Sequence, residues 1–314
     1  SFPFVHRALS LEEQQQDKKF IMELSEFCTY QSVPLDSGIE CRRFLVNDMS
    51  SLANVVSSLN DDISDRGSKS NTTTYNTYIV PGTDSRGAPI VAMIDTFPSY
   101  LESLFRPLPR IDYLIVQHTD PHHIGLVPAV LKNSPTVTVV ATAAGFKAME
   151  AQRISIPTTA KRLRVTEMRN LAVGNRILTL IPLPNLHSSD TMLTFDTLSR
   201  VLFTCDAFAA HYYSKSVNPV PLFDDIRGDP KLNDAFTNNY NDVLAPTRVD
   251  NGDAIKSLME RIENLKPQVI APGHGPCLKN KLQYFIDRYK TLPRKTRSRS
   301  ASPSASPSAS PSAS

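Results

Sequence analysis

The chain has 314 residues, of which 40% are hydrophobic and 21% charged, enough apolar material for one large domain or two ordinary ones. Its formal charge is +3, but Arg294, Lys295, Arg297 and Arg299 crowd into the last stretch, and without those four the body stands at −1. The basic balance therefore belongs to a tail and gives no ground for a nucleic-acid partner. No apolar run reaches the roughly 18 residues of a membrane-spanning helix. Cys28, Cys41, Cys205 and Cys277 form no CxxC pair, which argues against a structural zinc knuckle and fits a reducing compartment.

Residues 11–27 read as a polar to amphipathic helix, and residues 1–42 as an extension ahead of a domain over 43–292. Residues 60–74 are rich in Asp, Ser, Asn and Thr and mark a loop. Thr74 to Val80 alternates at strand period, and Ile90 to Asp95 is a second strand closed by an acid. Tyr100 to Leu104 is a short helix or turn, and Ile111 to Gln117 a strand apolar enough to be buried on both faces. A helix then runs to about Lys132, followed by a strand from Thr136 to Val140 and a helix from Ala144 to Gln152. Strands are expected from Arg162 to Thr166 and from Arg176 to Ile181. A hairpin pairs Met192–Phe195 with Val201–Thr204 across the turn Asp196–Arg200. Residues 214–234 are polar and Pro-rich and read as a long loop. The amphipathic helix Ala254–Leu265, a last strand Gln268–Ala271 and a closing helix Lys281–Tyr289 complete the domain. Residues 293–314 pass from Ser-Arg repeats into Ala-Ser-Pro-Ser of period four, which cannot bury a core and reads as a linker to a further domain, with a plain disordered tail as the alternative. The chain opens at Ser1 without Met, so any targeting peptide would lie outside the sequence and is not read from it.

Six of the seven histidines lie in four short motifs; His6 stands apart. The first motif is His118-Thr-Asp120-Pro-His122-His123, where alternate positions of a tight loop aim side chains the same way. The second is Asn185-Leu-His187-Ser-Ser-Asp190, and the third is Phe203-Thr-Cys-Asp206-Ala-Phe-Ala-Ala-His211. The fourth is Ala271-Pro-Gly-His274-Gly-Pro, whose glycines let backbone approach closely. Each follows an apolar strand-like run. Singly, Asp206 reads as a helix N-cap, His187 as a satisfied core imidazole and His274 as a turn residue. Jointly, imidazoles and carboxylates at four strand ends point to a metal centre.

These motifs, in this order, resemble the metallo-β-lactamase superfamily and within it the flavodiiron proteins. That family carries a His-x-Glu-x-Asp-His run, then Leu-His-Trp-Pro-Asp, then Leu-Phe-Ser/Thr-x-Asp-Ala-Phe-Gly-x-His, then a Gly-His-Gly type turn. Thr74-Tyr-Asn-Thr-Tyr78, Arg110-Ile-Asp-Tyr-Leu-Ile-Val116 and Leu183-Pro-Asn-Leu-His187 add to the likeness, which covers roughly residues 70–290. The Cys-Asp-Ala-Phe and His-Tyr-Tyr wording is most similar to members from oxygenic photosynthetic organisms. The resemblance implies an α/β fold, a metallo-β-lactamase αββα sandwich of two mixed β-sheets flanked by helices. It implies a di-iron centre, and FMN on a flavodoxin-like domain downstream of residue 314. It further implies reduction of O2 to water, or of NO, with electrons from FMN and NAD(P)H. Head-to-tail pairing would bring the FMN domain of a second subunit, identical or not, to this iron. The setting would be a plastid stroma or a cyanobacterial-type cytoplasm.

Carried over by position, one iron would take His118, Asp120 and His187. The other would take His122 and His274, with Asp206 bridging. His123, His211, Asp190 and Tyr75 would surround the centre, orienting ligands and supplying protons. The chain departs from the family at Asp120, where the family has Glu, and at His122, where it has Asp. Ser188-Ser189 replaces Trp-Pro, and Ala209 replaces Gly. Fewer carboxylates favour softer or later metals such as zinc, or an empty site. The departures keep an alternative open, a non-catalytic partner subunit with a degenerate metal site in a hetero-oligomer. A zinc hydrolase of the wider superfamily is a third reading, which the Asp-Ala-Phe-x-x-His phrase argues against.

Overall fold

The computed structural model describes residues 11–46, 52, 73–184, 187–210, 230–239, 252–280 and 282–291. Two mixed sheets stack face to face. The first has seven strands in sequential order: β1 (Cys28–Asp36), β2 (Ile39–Val46), β3 (Thr73–Thr83), β4 (Pro89–Ile94), β5 (Tyr113–Ile115), β6 (Thr138–Thr142) and β7 (Lys161–Val165). Its first half is antiparallel, and from β4 onward the strands run parallel. The second sheet holds β8 (Arg169–Val173), β9 (Arg176–Pro182), β10 (Met192–Asp196), β11 (Val201–Cys205) and β12 (Val269–Pro272). It is antiparallel except for the parallel β11–β12 pair at its far edge.

Strand periodicity sorts the apolar side chains into three layers. Ala92, Ile94, Ile115, Val140, Leu178, Leu180, Val201, Phe203, Val269 and Ala271 fill the space between the sheets. Their neighbours Met93, Leu114 and Val139 point the other way, into a layer closed by α1 (Leu11–Phe27), α2 (Pro121–Ile124), α3 (Val127–Asn133) and α4 (Ala143–Ala151). On the opposite flank Ile181, Leu193, Leu202 and Ile270 meet α5 (Pro230–Asn239), α6 (Gly252–Leu265) and α7 (Leu282–Thr291). The order is helix, sheet, sheet, helix, as the resemblance implies. Strands buried on both faces explain why Ile111–Val116 and Val201–Thr204 read as near-continuous apolar runs.

Several expected bounds shift. β1 and β2 form a hairpin across Ser37 and Gly38, both at positive φ (46° and 81°). That is the backbone a two-residue hairpin turn requires. Because β2 pairs in register with β3, the boundary at residue 42 falls inside a sheet strand, and residues 28–42 belong to the sandwich. β8 was not expected from the sequence; it returns into β9 through Gly174 (φ 61°) and Asn175. The helix expected after the histidine run is split in two at Gly125, where a Cβ would stand 2.2 Å from the Ser99 backbone nitrogen. Within the expected loop 214–234, the residues from 230 onward are helical in α5, and the rest lie outside the described residues, as do His6, His211 and 293–314.

Candidate metal centre

The four motifs meet at one end of the sandwich, beyond the C-terminal ends of β5, β9, β11 and β12. Loops there are held by strands of both sheets, which is what lets residues far apart in sequence share a site. Gln117 ties the two sheets together: its side-chain amide donates to the carbonyls of Met192 (2.8 Å) and Phe203 (2.9 Å). On the other flank β3 clamps the fourth motif. The Asn76 amide donates to Pro272 O (2.9 Å) and Gly275 O (3.0 Å), and its backbone N–H donates to Gly273 O (2.8 Å). Asn239 on α5 donates to the Asp206 carbonyl (3.0 Å), and Tyr289 on α7 accepts from Phe208 N–H (2.8 Å).

Asp206 is the hinge of the site, with one carboxylate oxygen facing each way. Its Oδ2 lies 3.1 Å from His187 Nε2 and 3.8 Å from His118 Nε2. Its Oδ1 lies 2.8 Å from His123 Nε2 and 3.4 Å from His274 Nε2. Asp120 Oδ2 joins the first side, 3.1 Å from His118 Nε2 and 3.9 Å from His187 Nε2. His122 joins the second, its ring 4.1 Å from that of His123 and 4.9 Å from that of His274. Two four-residue groups result, His118–Asp120–His187–Asp206 and His122–His123–His274–Asp206, each with its donor atoms within 4.8 Å of one another. Gly273 makes room for this packing, since a Cβ there would stand 2.7 Å from His123 Cε1.

Partners behind the imidazoles fix which nitrogen faces inward. His274 Nδ1 donates to the Thr74 carbonyl at 2.7 Å, which leaves the Nε2 lone pair directed at the centre. His118 Nδ1 pairs with Asp190 Oδ1 at 3.0 Å. Asp190 is itself held, accepting from Thr119 N–H (2.8 Å), from Thr119 Oγ1 (2.5 Å) and from the Ser188 hydroxyl. Burial works against the charge of Asp206, yet the imidazoles of His123, His187 and His274 hold its carboxyl well below the usual range. Burial likewise opposes the His187 cation, but Asp120 and Asp206 raise it to about 9, and Asp120 and Asp190 raise His118 well above its ordinary value. Charges this tightly matched, in donors aimed at one another, are the makings of a dinuclear metal site. The residues present fit one, with five imidazoles and two carboxylates.

Of the expected ligands, His118, Asp120, His122, His187, Asp206 and His274 all reach the centre. Asp190 stands behind His118, and the Tyr75 ring packs 5.4 Å from that of His274. His123, expected among the surrounding groups, lies instead inside the second group. The reason is local: residues 121–124 form a turn of helix, so neighbouring side chains fan by about 100° and both His122 and His123 reach inward, unlike the alternation of an extended loop. Asp95, just past β4, was missed as a site residue. It falls within 4.8 Å of His123 and Cys205 donor atoms and accepts from Gln117 N–H (2.8 Å). Burial pushes it up to about 6. Asp95 (φ 56°) and Cys205 (φ 49°) both hold left-handed backbone, which clusters at functional sites. The acid closing an apolar strand was the available signal.

A family model described as ODP family beta lactamase matches residues 93–275. Diflavin flavoprotein A 1 of Synechocystis sp. (strain PCC 6803) is 33% identical over 229 residues, covering 70% of this chain and 36% of the relative. Type A flavoprotein fprA of Rhodobacter capsulatus is 30% identical over 230 residues, 71% of this chain and 49% of the relative. The chain thus spans half or less of the length of these curated relatives. Among solved structures, the metal-soaked flavodiiron core of Flv1 from Synechocystis sp. PCC6803 aligns with TM-score 0.66 at 19% identity, over 85% of this chain and 61% of that one. Rubredoxin oxygen:oxidoreductase of Desulfovibrio gigas aligns with TM-score 0.61 at 21% identity, over 83% and 61%. Fold and motif order agree with a family model that matches more than half of the sequence, and the chain belongs to the flavodiiron protein family, of which it supplies the β-lactamase-like domain.

Proposed function

We propose that this chain is the di-iron domain of an oxidoreductase that reduces O2 to water with electrons delivered by FMN from NAD(P)H. The observation that carries the reading is Asp206, whose two carboxylate oxygens each face a separate set of imidazoles. One ion would be held by His118, Asp120 and His187, the other by His122, His123 and His274, with Asp206 between them. Bound iron would supply the redox-active centre to which O2, or NO, comes as substrate. The chain's own part is to hold that centre rigid. Asp190 and the Thr74 carbonyl fix two imidazoles in the correct tautomer, and Asp120, 45% exposed, stands where solvent protons can enter.

FMN is assigned to a flavodoxin-like domain beyond residue 314, and the partner to a second subunit packed head to tail. Among the described residues no helix is long and apolar enough to cross a membrane. Likeness to cyanobacterial relatives supports a plastid stroma or cyanobacterial cytoplasm as the setting. The convergence of seven donors favours this reading over a non-catalytic partner subunit with a degenerate site. The test is O2 uptake by the full-length, iron-loaded protein with NAD(P)H, with peroxide followed in parallel. The expected result is consumption of two NAD(P)H per O2 without peroxide; no uptake by protein that holds two irons overturns the proposal.

A further inference from the structure

A hydroxyl stands between His118 and its carboxylate anchor. Ser188, in the serine pair by which the second motif departs from the family phrase, places its Oγ 3.1 Å from His118 Nδ1 and donates a hydrogen bond to Asp190 Oδ1. Asp190 Oδ1 anchors that same imidazole nitrogen at 3.0 Å. An ionised carboxylate only accepts, and a serine has a single proton to give. With that proton on Asp190, the Ser188 oxygen accepts from His118 Nδ1–H. The imidazole proton is therefore shared between carboxylate and hydroxyl, and the anchoring oxygen carries a second donor. The other oxygen, Oδ2, is taken by Thr119 through its N–H (2.8 Å) and its Oγ1 (2.5 Å).

A carboxylate behind an imidazole raises the basicity of the nitrogen that faces the metal. A hydrogen bond given to that carboxylate draws part of its charge away. His118 is 4% exposed and Asp190 5%, so water dilutes the effect little. A less basic imidazole stabilises ferric iron less, relative to ferrous. On the reading that His118, Asp120 and His187 hold one iron of the pair, we propose that Ser188 is a positioning residue that raises the reduction potential of this iron by moderating the Asp190–His118 pair. Ser188 also has local bonds: its N–H donates to Thr191 Oγ1 (3.2 Å), and its Oγ accepts from Asp190 N–H (3.4 Å). Those bonds cap a turn and bear on stability. The contact with His118 Nδ1, 70 residues away in sequence, serves no turn and bears on the metal ligand.

The test is a redox titration of the full-length, iron-loaded protein, followed by electron paramagnetic resonance of the mixed-valent iron pair. Ser188→Ala is expected to lower the potential of one iron by about 59 mV, the equivalent of a tenfold gain in ferric over ferrous affinity for a one-electron step. Ser188→Thr, which keeps the hydroxyl, is expected to stay at the unaltered value. Ser188→Gly removes the same hydroxyl and is measured in parallel, so that misfolding of one variant leaves the other to decide. Unchanged or raised potentials without the hydroxyl, or an equal fall in Ser188→Thr, overturn the proposal. So does a loss of stability in urea with no shift of potential, the result a turn cap alone would give. Unaltered protein that takes up two irons and gives no mixed-valent signal overturns the di-iron reading itself, whereas unshifted potentials with that signal present overturn this inference alone.

Discussion

At the scale of single residues, the site depends on one carboxylate that serves both sides and on outer partners that serve one. Asp206→Ala removes the ligand common to both groups, and the expected result is a fall from two bound metal ions to fewer than one per chain by elemental analysis. Asp190→Asn leaves every inward donor in place but weakens the anchor of His118 Nδ1. Loss of such a partner typically costs about 10–100-fold in metal affinity. Chelator competition on this variant is therefore expected to show one weakened ion and one unchanged ion. Equal weakening of both would contradict the division of the donors into two groups. The residue scale is also where the sequence was most legible. His118, Asp120, His187, Asp206 and His274 announce themselves because imidazoles and carboxylates immediately follow apolar strands. His123 was misplaced because a sequence does not show whether a short run is extended or already turning into a helix.

At the scale of elements, the strand that carries no ligand matters as much as those that do. β3 holds the loop 272–275 through Asn76 and Thr74, and both side chains are buried. Asn76→Ala would strip the buried carbonyls of Pro272 and Gly275 of a donor, at a cost of about 1–3 kcal/mol. Urea unfolding is expected to show that loss, and chelator competition a weaker ion on the His274 side only. Thr74-Tyr-Asn-Thr-Tyr78 was legible as a strand and as a family phrase, but its role was not, because a hydrogen bond between residues so distant in sequence leaves no local pattern. The β1–β2 hairpin went unread for a related reason. Cys28–Asp36 is an outer strand in which Thr29, Gln31 and Ser32 interrupt the apolar residues, so it lacks the continuous apolar run that marks the central strands.

At the scale of the whole molecule, three buried layers keep all four cysteines reduced and out of reach. Burial pushes the Cys28 thiol up to about 12, and the neighbouring Cys277 thiol together with burial lifts Cys41 well above its ordinary value. A thiol whose pKa is higher in the folded state than the ordinary value of 9.0 contributes fully below pH 9. That contribution is lost as pH rises toward the folded value. Urea unfolding is thus expected to give a stability that declines above pH 9, with a shallower decline in Cys28→Ala. Native protein is expected to resist thiol reagents at pH 8 and to yield four reactive groups once unfolded. A native thiol that reacts readily would mean that one of the buried layers opens to solvent.

By itself the sequence determined the kind of chemistry and the strands that would present it. Periodicity fixes which faces are buried, and donor side chains beside strand ends identify metal ligands wherever they lie. Only the tertiary structure decided how the donors divide. Asp206 turns one oxygen to each set of imidazoles, His122 and His123 share a side, and Asp120 joins His118 and His187. The physical reason is that burial and periodicity are local properties of a chain. Which oxygen faces which nitrogen depends on how two separate sheets are stacked, and no run of neighbouring residues encodes that stacking.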